Sequence, residues 1–314
     1  MAEEKGGQAA GEKKGGKPWT LREFGGKTAW DWLQLLVVPL MLALITVLFT
    51  QQQDARQQEL ENQRAEAERE LAEQRAQDET LQAYLDQMGS LLLATDLRQS
   101  QEDSDVRRLA RARTLVVLDV LDSPRQNRVL RFLEETQLIQ ARPDGPPIIS
   151  LKYASLRDFE LLGKQLLRGT DLTQAGLIRA ELSETHLEDT NLSLAHLGKA
   201  DLRGAYLNDA KLNGAYLYDT DLRGADMSGA DLSDAEGRFN SGARMIRTLL
   251  VDADLSGADL RGANLRGANL RGTVLTNAQV TEEQLREVES LEGATMPNGQ
   301  NYEDWLKDKE DRKK

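Results

Sequence analysis

The sequence predicts a mainly β, four-sided β-helix over its second half, preceded by a transmembrane helix and a small helical bundle. Three observations predict it. An apolar residue recurs every five positions from Leu172 to Leu232, and again from Met245 to Val280. A small residue, Ala or Thr, stands two places before each of them, as at Thr170, Ala175 and Ala180. Near the N-terminus, positions 29–49 read AWDWLQLLVVPLMLALITVLF, with Asp31 as the only charge.

Residues 1–27 are rich in Gly and Lys and have little to bury, which predicts a disordered N-terminus. Residues 28–50 have the length a helix needs, at 1.5 Å per residue, to cross about 30 Å of hydrocarbon. Trp30 and Trp32 stand where an aromatic belt would lie, and Pro39 is tolerable in such a helix. A buried core helix or a cleaved signal peptide would pass the same test. Thr50-Gln51-Gln52-Gln53 is a poor cleavage site, so the reading is a retained single-pass anchor. Six Lys or Arg precede the span and three lie in the twenty residues after it. That excess predicts a cytoplasmic N-terminus and an extracytoplasmic repeat domain.

Residues 51–77 are dense in Gln, Glu, Arg and Ala, all good helix formers, and read as a polar helical stalk. Leu60, Ala67, Leu71, Leu81, Leu85, Met88 and Leu92 keep a 3.5-residue register that Arg64, Gln74 and Asp78 interrupt. A parallel coiled coil, hence a homo-oligomer, is the alternative to a solvated stalk. Residues 78–140 predict a bundle of three helices: 78–94, 103–121 after the cap Ser104-Asp105, and 124–138 with Pro124 at its start. Val106, Leu109, Val116, Val117, Val120 and Leu121 supply one apolar stripe; Val129, Leu130, Phe132, Leu133 and Leu138 supply another. Arg107, Arg108, Arg111 and Arg113 read as a solvated face, with a phosphate or lipid-headgroup site as the sharper alternative. Residues 142–147 are a linker.

The repeat domain is expected over 148–280. Its interior positions are Leu172, Leu177, Leu182, Leu187, Leu192, Leu197, Leu202, Leu207, Leu212, Leu217, Leu222, Met227, Leu232, Leu255, Leu260, Leu265, Leu270 and Leu275. A period of five suits neither a helix nor a strand and must be read as a repeat architecture. Both marked positions point inward only if the chain turns a corner every five residues, so that four corners close a coil of about twenty. Gly204, Gly214, Gly224, Gly229, Gly257, Gly262, Gly267 and Gly272 follow the interior Leu or Met by two places, where a corner needs positive φ. Weaker copies at Leu151, Leu156 and Leu161 precede the main run.

The A(D/N)LXX run, purest from Ala253 to Gly272, resembles the pentapeptide repeat family over about residues 150–280. The N-terminal GKTAWDWLQLLVVPL resembles the membrane-anchored bacterial members of that family. The resemblance implies a right-handed quadrilateral β-helix. Two departures stand out. Leu232 and Met245 are thirteen apart, so residues 235–243 should bulge as a loop, read as a defect the coil absorbs rather than as a recognition feature. After Val280, Thr281-Glu282-Glu283-Gln284 opens a capping helix, Leu291 and Met296 suggest a last partial coil within 281–300, and 301–314 is a charged tail.

The net charge is −12, yet residues 150–280 carry only 15 basic against 18 acidic side chains. No block is basic enough for a nucleic-acid footprint. With no cysteine, disulfides and thiolate chemistry are excluded. His186 and His196 lie half a coil apart, on opposite sides, which argues against a shared metal site. The Asp and Asn before each interior Leu read as solvated polar rows, not general acids. No catalytic, cofactor-binding or metal residue is therefore assigned, and no cofactor is expected. The function expected is a non-enzymatic, membrane-anchored scaffold for protein–protein contact. It would meet membrane lipid through residues 28–50, a protein partner whose identity is not legible, and no nucleic acid. The alternative the family suggests is a DNA mimic that binds a DNA topoisomerase, which a near-neutral repeat region disfavours.

Overall fold

A computed structural model describes residues 29–94, 97–142, 145–161, 167–233 and 242–311. The expected disordered N-terminus, and most of the loop expected at 235–243, lie outside these. The chain divides into two compact units, residues 1–72 and 73–314.

The first unit holds the beginning of helix α1 (Ala29–Ala94), which contains Pro39 and runs on without a break. Residues 33–72 are exposed throughout, including Leu36, Leu40 and Phe49. The helix is long and apolar enough to cross a membrane.

In the second unit the end of α1 buries Leu81, Tyr84 and Met88. It packs on α2 (Asp105–Val120) and α3 (Ser123–Glu135). Ser104 caps α2 and Asp122 caps α3, each accepting from a backbone N–H three residues on. The Tyr84 hydroxyl lies 2.9 Å from that of Thr114, and burial pushes the phenol pKa upward. The apolar stripe expected on α2 is corrected. Val117 and Leu121 are buried, but Leu109, Val116 and Val120 are exposed. The inward face instead uses Arg107, Ala110, Thr114, Val117 and Leu118, because hydroxyl bonds to Tyr84 and to the helix backbone let Thr114 go inside.

Beyond the helices the chain winds in coils of twenty residues. Parallel bridges join Asp171 to Asn191 to Lys211 to Asp231, and likewise His196 to Tyr216, Asp201 to Asp221 and Tyr206 to Asp226. Four such columns make four faces. All eighteen interior residues named above are buried, none more than 1% exposed. The expectation of a mainly β chain needs correction, because the described residues contain isolated bridges and no continuous strand. The five-residue unit explains it. Each repeat closes a turn, as where Ala205 N–H donates to Leu202 O, so the bonds between coils leave a single bridge residue per side rather than a run of them.

The fourth residue after each small one takes positive φ whether or not it is glycine: Gly204 at 63°, but also Leu194 at 59° and Lys199 at 61°. A left-handed conformation is thus demanded by the corner, and glycine only relieves it. Buried threonines do more than fill space. Thr190, Thr220 and Thr273 each donate to the Leu carbonyl 23 residues earlier, at 2.8–2.9 Å, tying one coil to the one before.

Across the interruption the columns step by 28 rather than 20, as from Tyr216 to Arg244 and Asp221 to Leu249. Ala243 N–H donates to Leu232 O, the bond that Ala230 makes to Met227. Gly242 and Ala243 therefore belong to the coil rather than to the loop expected at 235–243, whose other residues lie outside those described. At Gly242 a Cβ would sit 2.6 Å from the Gly262 carbonyl, so close approach of two backbones requires glycine there.

Both ends of the solenoid are covered. At the first, Ser123 Oγ accepts from Glu160 N–H and Asn127 Nδ2 donates to Glu160 O. At the last, the short α4 (Glu282–Arg286) carries the expected capping box of Thr281 and Gln284. Gln284 Nε2 donates to the carbonyls of Leu260 and Ala263. Edge groups that would otherwise stay unpaired are thereby satisfied. Leu291 and Met296 then form the partial coil, bridged through Ser290 and Thr295. The stretch expected as a charged tail holds a further helix, α5 (Tyr302–Asp311), with Trp305 half-buried beneath Lys309.

Candidate functional site

With the interior filled, the solenoid can act only through its outward positions. Each repeat offers three of them: the residue before the interior Leu and the two after it. The first is often Asp or Asn, for a local reason. Its Oδ1 accepts the backbone N–H two residues on, at 3.1 Å for Asp201 and Arg203, 3.0 Å for Asp226 and Ser228, and 3.1 Å for Asn264 and Arg266. These side chains cap the corner turn. The sequence reading of solvated polar rows missed this role, although the fixed D-L-x spacing carries it.

Where Arg follows, it closes a second bond to the same carboxylate. Arg203 Nη2 lies 2.5 Å from Asp201 Oδ2, and Arg223 with Asp221 and Arg261 with Asp259 repeat the pairing. The guanidinium of Arg203 holds the Asp201 carboxyl below the usual range, and Arg261 does the same to Asp259. Pairs also run between coils: Arg247 with Asp219, and Arg179 with Asp158. A carboxylate engaged this way is a poor general acid at neutral pH.

His186 and His196 stand in separate bridge columns. Each stacks on the tyrosine one coil on, His186 on Tyr206 at 4.6 Å and His196 on Tyr216 at 4.5 Å. Arg244 continues the second stack, 4.4 Å above the Tyr216 ring. Among the described residues no three His, Asp or Glu side chains gather as metal ligands. The arginine cluster of α2 is dispersed. Arg107 is buried and donates to Ser100 Oγ, Arg108 pairs with Asp105, and Arg111 donates to the carbonyls of Ser150 and Lys152. Neither a single solvated face nor a single headgroup site survives, because α2 turns these side chains toward different neighbours.

The faces differ in charge far more than their total suggests. The column from Ser155 to Asn264, with its two following positions, carries six basic side chains (Arg157, Arg179, Lys199, Arg244, Arg247, Arg266) against Asp158 and Asp219. The next column, from Glu160 to Ser290, carries seven acids against three arginines. The His186 column, opposite the basic face, carries five acids, with Arg168 at its first coil. The fourth is close to neutral.

The family model described as pentapeptide repeats matches eight copies, over residues 162–193, 200–236 and 241–282. No curated protein matches the chain. Among solved structures, the chain is similar to HetL, a pentapeptide repeat protein involved in heterocyst differentiation regulation in the cyanobacterium Nostoc. The two are 30% identical over 49% of this chain and 75% of HetL, with a TM-score of 0.26. QnrB1, a plasmid-mediated fluoroquinolone resistance protein, is 18% identical over 50% of this chain and 85% of its own, with a TM-score of 0.30. A pentapeptide repeat protein of the Arabidopsis thaliana thylakoid lumen is 26% identical over 45% and 86%, with a TM-score of 0.16.

Proposed function

Because the chain belongs to the pentapeptide repeat family through residues 162–282, we propose that it is a non-enzymatic scaffold, anchored in a membrane by residues 28–50, whose solenoid binds a partner protein. One observation carries the reading. The outward carboxylates that might have done chemistry are committed to capping corners and pairing with arginine, which leaves a fixed, patterned surface. The apolar part of α1 supports the anchor, and the excess of Lys and Arg before it supports a cytoplasmic N-terminus. In this reading the coils wind right-handed, and residues 51–77 form a stalk that self-associates weakly if at all. Membrane fractionation tests it: the intact protein should pellet, and deleting 28–50 should release it. An intact protein found wholly in the soluble fraction would sink the anchor.

A second reading has one observation in its favour. The two adjacent acidic faces together carry about −8, which a repeat total of −3 conceals. A DNA mimic would use them against a DNA topoisomerase. Spread over six or seven coils at about 4.8 Å each, this is roughly one charge per 4 Å, against about one per 1.7 Å along duplex DNA. The scaffold reading is therefore preferred. Inhibition of gyrase supercoiling by the purified protein would reverse that preference.

A further inference from the structure

We propose that the basic face bearing His196, Tyr216 and Arg244 is the partner-binding face, and that it takes an acidic, extended protein segment. The inference rests on the scaffold reading and names the chemistry of its partner.

Charge comes first. This face alone is net positive, at six basic against two acidic side chains, on a domain whose repeat region is net negative. Pairing sharpens the contrast. Asp158 and Asp219 pair with Arg179 and Arg247 and are also influenced by Arg157 and Lys199, so two carboxylates face four cations, while Arg244 and Arg266 form no ion pair among the described residues. Elsewhere on the coils Arg203, Arg223 and Arg261 each hold a carboxylate at 2.5 Å. Unmatched positive charge is thus concentrated on one of four faces.

Stacking then decides the class of partner. A single-stranded nucleic acid would need open ring faces on which bases can stack. Here Tyr216 lies between His196 and Arg244, with both of its faces covered. With Tyr216 covered, the ladder ends on the Arg244 guanidinium, whose N–H groups suit carboxylates. The surface also lies low. Gly176 and Gly198 flank the ladder at ordinary φ, and a Cβ on either would meet only a backbone oxygen, at 3.9 and 3.6 Å. Neither backbone conformation nor packing requires glycine there, and its absence of side chain lets a chain approach the coil backbone.

Length fits as well. Arg157 and Arg266 lie on coils five steps apart in this column, about 24 Å at 4.8 Å per step. An extended segment of about seven residues spans that distance at 3.4 Å per residue.

The test uses the full-length protein in its own membranes, with a photo-crosslinking amino acid at Tyr218 on this face or at Tyr206 on the opposite one. Support is an adduct at 218 whose attached peptide is net acidic and which is lost in Arg244→Glu/Arg266→Glu but kept in Arg168→Glu. In parallel, anisotropy of a labelled (Glu-Ala)5 peptide with the detergent-purified protein should show salt-sensitive binding. The double variant should weaken it about tenfold or more, with an unchanged circular dichroism spectrum. Adducts at 206 alone would leave the scaffold reading standing and overturn this inference. Adducts at 218 to nucleic acid or lipid, or peptide binding indifferent to the double variant, would overturn it too. No adduct at either position would defeat both readings.

Discussion

Replacing Leu202 by Ala tests how the solenoid is held together. Leu202 is fully buried, with Leu182 and Leu222 one coil to either side, both at most 1% exposed. Removing its three outer carbons costs about 2.4 kcal/mol at about 0.8 kcal/mol per buried CH2 group. A cavity cost adds to this, and collapse is resisted. Leu202 N–H donates to Asp221 O, Asp201 N–H to Ala180 O and Gly204 N–H to Arg223 O, so ladders on both sides pin the backbone around the hole. The total should fall at about 3–4 kcal/mol, within the range for buried Leu→Ala. Because each coil touches only its neighbours, the loss should stay local. Hydrogen exchange by mass spectrometry on the full chain should show faster exchange over residues 180–225 and little change over 250–275. Uniform acceleration along the repeat, or a change below about 1 kcal/mol, would refute the reasoning, the first by showing global cooperativity and the second by showing a coil that closes over the gap.

Gly242→Ala should destabilise by about 1–3 kcal/mol, because its Cβ would meet the backbone of Gly262 and Ala263, which cannot rotate away; thermal unfolding would read it. Thr220→Val keeps the volume but removes the bond to Leu197 O, and should cost about 1 kcal/mol in denaturant unfolding. Asp201, Asp219 and Asp259 have carboxyl pKa values held down by Arg203, Arg247 and Arg261. Their stabilisation is present above the ordinary Asp value and lost as pH falls through the depressed one. The melting temperature should therefore stay flat from pH 7 to 5 and decline only below about pH 4. A decline centred near pH 6 would contradict this.

How much of this was legible depended on the range of the signal. The interior leucines repeat every five residues and could be read singly, and so could the Ser104 and Thr281 caps. The corner-capping Asp was visible as a letter but not as a bond, since its partner is a backbone N–H that no sequence displays. The face of α2 was misread for a related reason. Val116 and Val120 are as apolar as Val117, but which side of a helix is buried depends on where Tyr84 places its hydroxyl. Charge polarity was hidden more deeply. It appears only when residues are summed down columns, and the step of 28 at the interruption shifts every later residue by eight relative to the plain twenty-residue count.

That step has a consequence for how such a chain can change length. Every outward residue has an address, a face and a level, fixed by counting corners. Between Ser233 and Gly242 the count runs eight residues long, and because Ala243 takes up the bond to Leu232, every later address is kept. The corner after Ser233 is thus a port where sequence can be inserted or exchanged without renumbering the surface above it. Single added residues are taken up in the same way at the ends of the solenoid, where Ser155 pairs with Gly176 and Asn269 with Ser290 at a step of 21 and the columns continue.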